Sequence, residues 1–330
     1  MVMEKMLAHF PRQSSRDNIR IHTSVTHNLY NSTIMNKSIL IITKLDRNEY
    51  ESNKLAESFE SKGIKVTMAH PDDFDIIVDR DIHKGLKYRG QDMELPSLAL
   101  VRLGAGILPF QLAVVRHLEQ AGVTCVNGSN AIETVKDKLR TSQILSRHGI
   151  PIPNTMMVRM PIDDNLVKDN IGFPCVIKVV TGSYGEGVYL CERQRDYKKL
   201  MEFIDNLGNK KTMLVQEYLG ERVGEDLRVL VIGGKVVGAM KRSAPEGDFR
   251  ANITNGGTGE RYEVTEEIDY LARETARVLN LDIAGIDLLF DKRGFRVCEA
   301  NSNPGFSGFE KYCGVDVADL MTEYIRFKIQ

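Results

Sequence analysis

The sequence contains no apolar run near the roughly 18 residues that a membrane-spanning helix requires, and no apolar centre near its start that would make a secretory leader. It also carries almost no net charge, −1 over 330 residues, so no overall field would recruit nucleic acid or an anionic membrane. The seven histidines are scattered, and the five cysteines (Cys125, Cys175, Cys191, Cys298, Cys313) are odd in number and form no C-x-x-C pair. Neither a disulfide framework nor a zinc site is expected from them. No G-x-G-x-x-G follows the first strand, no Gly-Lys-Ser/Thr opens a helix, and H-R-D and D-F-G are missing. These absences argue against a dinucleotide site, a Walker loop and a protein kinase. What is present is ordinary globular composition, 42% hydrophobic and 27% charged, in a chain long enough for two or three domains. A cytoplasmic enzyme or binding protein is the expectation.

Residues 1–34 are polar and lack sustained periodicity. Arg12, Arg16 and Arg20 among serines hint at a transit peptide, but Glu4 and Asp17 weaken it. The segment reads as a dispensable extension, or as a start assigned too early with Met35 the working one. From 35 to 128 strands and helices alternate. "KSILIIT" is a β-branched run suited to a buried parallel strand, and "ESNKLAESFESKG" is an amphipathic helix closed by Gly63. "KVTMA", "LALVRLG" and "TCVN" read as further strands, with "ILPFQLAVVRHLEQAG" a helix before the last. That alternation predicts an open α/β domain. A single helix is expected over about 129–148, followed by a boundary at "IPIPNT". Residues 129–219 then read as a small α+β unit: the strand "FPCVIKVV", the glycine-rich "TGSYGEG", the strand "VYLCE", a helix and the strand "TMLVQEYL". Residues 220–330 form a third unit: two strands, a Gly/Asn-rich loop, a helix over about 265–279, the hairpin "AGIDLLF"–"DKRG"–"FRVCEAN" and a last helix.

The chemistry concentrates in four places. In the hairpin, alternation puts Glu299 and Asn301 on one face, with Asp287 opposite Glu299 or one position off. Two carboxylates that close repel unless a proton or a cation intervenes. With an amide oxygen and no His or Cys, the set suits a hard ion such as Mg²⁺. The plainer alternative is a polar strand end at the surface. Second, Lys178 interrupts an apolar strand just ahead of Gly182, Ser183, Gly185 and Gly187, and a buried ammonium calls for an anion. A glycine tip can cradle phosphate with its backbone N–H groups, although most glycine hairpins are only turns. Third, "LVQEYL" offers a backbone edge after Glu217 for an adenine, with Glu217 accepting from its exocyclic amine, although polar residues commonly follow any strand. Fourth, Arg228, Lys241, Arg242 and Arg250 surround a Gly/Asn-rich loop. There they could hold a carboxylate substrate or the charge on a transferred phosphoryl group, or simply be solvated.

Taken in order, "VKDKLRTSQILSRHGIPIP", "VIKVVTGSYGEGV", "QEYL", "EDLRVLVIGGKVVGAMKR", "EGDFRAN", "AGIDLL" and "CEANSNPGF" resemble the ATP-grasp superfamily, and within it the RimK-type α-L-glutamate ligases. The resemblance spans roughly 102–319; residues 1–34 have no counterpart. It implies an ATP-grasp fold (α/β and α+β) preceded by an open, Rossmann-like α/β domain. It implies that Lys138 and Lys178 touch ATP phosphates and that Glu217, Tyr218 and Leu219 hold the adenine edge. Asp226 would face the ribose, and Arg242, Ser243 and Ala244 would close the nucleotide pocket. Asp287, Glu299 and Asn301 would ligate two Mg²⁺, or Mn²⁺, while Arg250 would steady an acyl phosphate. The activity implied is amide formation between L-glutamate, or another amino acid, and the carboxyl group of an acidic protein tail or small acceptor, by a homo-oligomer. Family acceptors include ribosomal protein tails, N-acetylaspartate, cofactors and a carrier protein, and "EGDFRAN" looks more like the protein-modifying branch. Two alternatives stand beside this: a ligase with another donor or acceptor, and a nucleotide-binding regulator that has lost turnover.

Overall fold

The structure, a computed structural model, describes residues 37–330 apart from 45–48, 81–84, 105, 160–161, 180–186, 207–211, 252 and 254–255. The expected extension at 1–34 lies outside the described residues.

The chain enters with strand β1 (Ser38–Thr43), helix α1 (Glu49–Ser61) and strand β2 (Lys65–Ala69). A short meander follows, β3 (Phe74–Ile76), β4 (Leu86–Tyr88) and β5 (Gln91–Asp92), then β6 (Leu98–Arg102), α2 (Pro109–Gln120) and β7 (Thr124–Val126). Strands β2-β1-β6-β7 form a parallel sheet in that order, as the open α/β expectation requires. A parallel sheet is covered on both faces, so its strands read as continuous apolar runs. Leu55 and Phe59 of α1 pack with Ile39, Ile41, Leu98 and Leu100 on one side. Leu112, Val115 and Leu118 of α2 pack with Leu40, Ile42, Ala99 and Val101 on the other. The β3–β5 meander is too short to have shown in the sequence pattern.

The helix expected over 129–148 is two helices. α3 (Ser129–Lys136) ends at Asp137, whose extended backbone (φ −88°, ψ 99°) and side chain start α4 (Lys138–Arg147) by accepting from the Arg140 N–H at 3.0 Å. An aspartate that caps its own backbone is more stable outside a helix than within one. Next come β8 (Thr155–Arg159), α5 (Asp164–Asn170), β9 (Cys175–Val179), β10 (Val188–Cys191), α6 (Gln194–Asn206) and β11 (Thr212–Glu217). Their antiparallel sheet runs β10-β9-β11-β8. Cys175, Ile177, Met213 and Val215 face Val167, Tyr197 and Met201 of α5 and α6. Strand alternation turns Lys178 and Gln216 to the opposite face.

The last part holds β12 (Glu225–Ile232), β13 (Lys235–Ser243), β14 (Thr258–Tyr262), α7 (Glu266–Val278), β15 (Ile283–Asp291), β16 (Gly294–Asn301), α8 (Ser307–Cys313) and α9 (Val317–Lys328). Its antiparallel sheet is ordered β14-β13-β12-β15-β16. Leu227, Val229, Ile286 and Leu288 bury one face under Ile268, Leu271 and Ala276 of α7. On the other face Leu230, Ile232 and Ile283 join Phe309, Met321 and Ile325 of α8 and α9 and the α1 side of the parallel sheet. Strand β14 lies within the stretch expected as a Gly/Asn-rich loop, and β8, α5 and α8 fall where the sequence reading assigned no element.

Candidate active site

The β15–β16 hairpin places the expected trio together. Asp287 pairs with Glu299 and Gly285 with Asn301, whereas Leu288 pairs with Val297. Cys298 is therefore a bulged residue. Counting back from the turn without it would set Asp287 against Cys298. The bulge adds one position and brings the carboxylates face to face. Directly opposed residues have Cβ atoms about 4.5–5.5 Å apart. Alternation on the neighbouring strands adds to the same face: Arg228 of β12 pairs with Asp287, and Asp226 pairs with Arg242 of β13. The result is a charged row, Arg242–Asp226–Arg228–Asp287–Glu299–Asn301, across one end of a sheet face whose other end is apolar.

Within the row, charges are matched. Arg228 grips both oxygens of Asp287, its Nη2 at 2.8 Å from Oδ2. Arg242 donates to Asp226 through Nε and Nη2 at 2.7 and 2.6 Å, and its Nη2 also lies 3.1 Å from Asp287 Oδ2. Burial alone would raise both carboxyl pKa values. At Asp287 the two guanidinium groups outweigh it and lower the pKa, while at Asp226 burial prevails and raises it, helped by the charge of Asp287. Lys138, the first residue of α4, donates to Glu299 Oε1 at 2.5 Å. Burial would lower its pKa, but Glu299, aided by Cys298 and Asp287, raises it and keeps the ammonium charged.

Across a narrow cleft lies the free face of the β8–β11 sheet. Lys178 Nζ donates to Gln216 Oε1 at 2.7 Å and sits 3.6 Å from Cys298 Sγ. Gln216 is fixed in turn by donating to Thr155 Oγ1 at 2.9 Å. Both lysines and Glu299 line this cleft. Of the expected glycine flap, Gly182, Ser183 and Gly185 lie outside the described residues; Gly187 has a left-handed φ of 73°. Glu217 ends β11, and its carboxylate accepts from Arg296 Nη1 (2.8 Å) and Asn154 N (3.1 Å). Tyr218 meets Phe249 edge-on at 6.5 Å, which brings the loop carrying Arg250 against this hinge, with Leu219 following. Ser243 ends β13, and the Ala244 N–H donates to Gly224 O at 2.8 Å. Arg250 holds Asp248 through Nη2 at 2.8 Å. The sequence reading did not find the Gln216, Arg296 or Asp248 partners. Each is set by tertiary placement or loop geometry and has no spacing signal of its own.

The donor set fits a hard divalent ion. Among the described residues no three His, Cys, Asp or Glu side chains converge on one point; with Asp226 held by Arg242, the oxygen donors left on this face are Asp287, Glu299 and Asn301. A carboxylate has about four lone-pair positions. Arg228 and Arg242 take three positions on Asp287 and Lys138 one on Glu299, so an ion would share these carboxylates with their cationic partners, while Asn301 Nδ2 is held toward Gly285 O at 3.4 Å. Few protein ligands and several open positions are how Mg²⁺ is bound beside phosphates.

Comparison with known proteins identifies the family. A family model described as RimK-like ATP-grasp domain matches residues 135–325, and one described as RimK PreATP-grasp domain matches 38–132. A probable alpha-L-glutamate ligase of Vibrio atlanticus (strain LGP32) is 39% identical over 288 residues, covering 86% of this chain and 94% of that protein. Its counterpart in Methanococcoides burtonii is 38% identical, over 84% of this chain and 92% of that one. Among solved structures, the ATP-grasp ligase PsnB complexed with a phosphomimetic variant of minimal precursor, Mg and ADP superposes with a TM-score of 0.70 at 20% identity, covering 89% and 99% of the two chains. D-alanine–D-alanine ligase of Bacillus anthracis superposes at 0.64 and 17%, covering 88% and 96%.

Proposed function

The chain belongs to the RimK-like ATP-grasp family, whose members are ATP-dependent ligases, and from that premise we propose that it adds L-glutamate to the carboxyl group of a protein tail or small acidic acceptor. The observation that carries this reading is the charged row of the C-terminal sheet facing Lys138 and Lys178 across one cleft.

In this reading Lys138 and Lys178 bind the ATP phosphates, under the flap of Gly182, Ser183, Gly185 and Gly187. Glu217, Tyr218 and Leu219 take the adenine edge, Asp226 the ribose side, and Arg242, Ser243 and Ala244 close the pocket. Asp287, Glu299 and Asn301 would hold Mg²⁺, with Mn²⁺ as a substitute, supplying charge neutralisation at the phosphate oxygens. The acceptor carboxylate attacks the γ-phosphorus, the bond to the β-phosphate oxygen breaks, and ADP leaves. The amine of the donor then attacks the acyl phosphate carbonyl, forming the amide and releasing phosphate and a proton. Arg228 and Arg250 stabilise negative charge on the transferring group and the acyl phosphate. No side chain has to become a nucleophile, and catalysis rests on positioning and charge. A cytoplasmic setting suits five free thiols. Among the described residues no helix is long and apolar enough to cross a membrane.

The test is nucleotide release with the purified protein over a panel of amino acids and acidic peptides. ADP and phosphate that require both L-glutamate and an acidic acceptor are expected; AMP and pyrophosphate would overturn the reading. Mass spectrometry of the products across all twenty amino acids would reveal a different donor.

A further inference from the structure

The segment just after the ligand Asn301 is tied to the N-terminal sheet by two buried devices. Arg102, at the carboxyl end of β6 and 2% exposed, pairs with Glu51 of α1, 8% exposed, at 2.8 Å. A buried ion pair is seldom a gain in stability over apolar residues of the same volume. Here both members of the pair also reach one further place, although Arg102 Nε is buried without a partner. Arg102 Nη1 and Nη2 both donate to Pro304 O at 3.3 Å, and Glu51 Oε1 accepts from the Phe306 and Ser307 N–H groups at 2.6 and 3.0 Å. The guanidinium also lies over the Phe306 ring, 5.5 Å from its centroid. The second device is Asn127, next after β7 and 1% exposed. Its Oδ1 accepts from Asp282 and Ile283 N–H groups at 2.7 and 3.0 Å, and its Nδ2 donates to Ile283 O at 2.7 Å and Ser302 O at 2.6 Å. It thus clasps the start of β15 to the residue that follows Asn301.

We propose that Arg102, Glu51 and Asn127 are positioning residues that hold the 301–307 segment, and through it Asn301, in register for the divalent ion. The inference rests on the metal reading given above. Ser302 is fixed by Asn127 and residues 304–307 by the ion pair, so Asn301 is the last free step of β16, opposite Gly285 on a strand that Asn127 also holds. The ligand's place is therefore set by the carboxyl ends of β6 and β7, in a domain that supplies no ligand itself. Groups behind metal ligands typically change metal affinity about 10–100-fold when altered.

The test uses the full chain with Mn²⁺ as a spectroscopic probe, titrated in the presence of ADP and read by electron paramagnetic resonance of the free ion. Arg102→Lys and Glu51→Gln are expected to weaken Mn²⁺ about tenfold, while metal-free ADP affinity stays within twofold of wild type. Phe59→Leu, a core change on the same helix as Glu51, lowers the melting temperature and leaves Mn²⁺ affinity unchanged; it separates positioning from general loosening. If Arg102→Lys does not fold, Glu51→Gln carries the test, since it keeps an acceptor for the Phe306 and Ser307 N–H groups. Mn²⁺ affinity within twofold of wild type in a folded variant overturns the inference when Glu299→Ala does weaken it. If Glu299→Ala leaves Mn²⁺ untouched, the metal assignment itself fails and takes this inference with it.

Discussion

Glu299 is 38% exposed at its side chain and has Lys138 as its partner, so little of the core depends on it. Glu299→Ala should lower turnover at least 100-fold while the melting temperature moves by no more than a few degrees; a folded, active variant would refute its role as a ligand. Asp248 offers a pH signature. The Arg250 side chain and backbone N–H hold its carboxyl at about 2, below the ordinary 3.8. Its folded-state pKa is depressed, so its contribution to stability is complete above about pH 4 and fades as pH falls toward 2. Denaturant unfolding of wild type and Asp248→Asn should differ by a constant amount from pH 5 to 7 and converge near pH 2. Alternation along β16 made Glu299 and Asn301 legible as a same-face pair, whereas the place of Asp287 opposite Glu299 waited on the bulge at Cys298. The partners of Glu217 and Lys178 were not legible, since nothing local to β11 announces Arg296 from β16, nor anything in Lys178's surroundings its neighbour Cys298.

At the scale of elements, two irregularities decide the geometry. The bulge at Cys298 resolves the one-position ambiguity that the turn left open. Gly285 is the other: a Cβ there would meet Pro304 Cβ at 2.8 Å and Arg228 Cδ at 3.1 Å. Gly285→Ala should therefore displace Arg228 from Asp287. Overpacking of this kind costs about 1–3 kcal/mol, so a lower melting temperature and at least tenfold slower ADP release are expected. The break at Asp137 was missed because the apolar spacing of α3 and α4 runs through it, and only the cap geometry separates them. Asp137→Ala removes that cap, worth about 1 kcal/mol, and loosens Lys138 beside it. The steady-state signature should be a KM for ATP raised several-fold with a smaller change in kcat.

At the scale of the whole molecule, the α/β beginning and the hairpin near the end were readable, because both rest on long periodic runs. The strands β3 to β5, only two or three residues each, were not. Nor was the coupling of distant parts, such as Lys62, just past α1, reaching Asp319 and Glu323 of α9 at 2.5 and 2.6 Å. That coupling has a consequence for biosynthesis. The parallel sheet is complete once β7 has left the ribosome, yet the apolar surface it shares with α1 is sealed by Phe306, Phe309, Met321 and Ile325. At roughly 5–20 residues per second the delay between the two is on the order of 10–40 s. During it the nascent chain presents an uncovered greasy flank, open to chaperones and to its neighbours on the polysome.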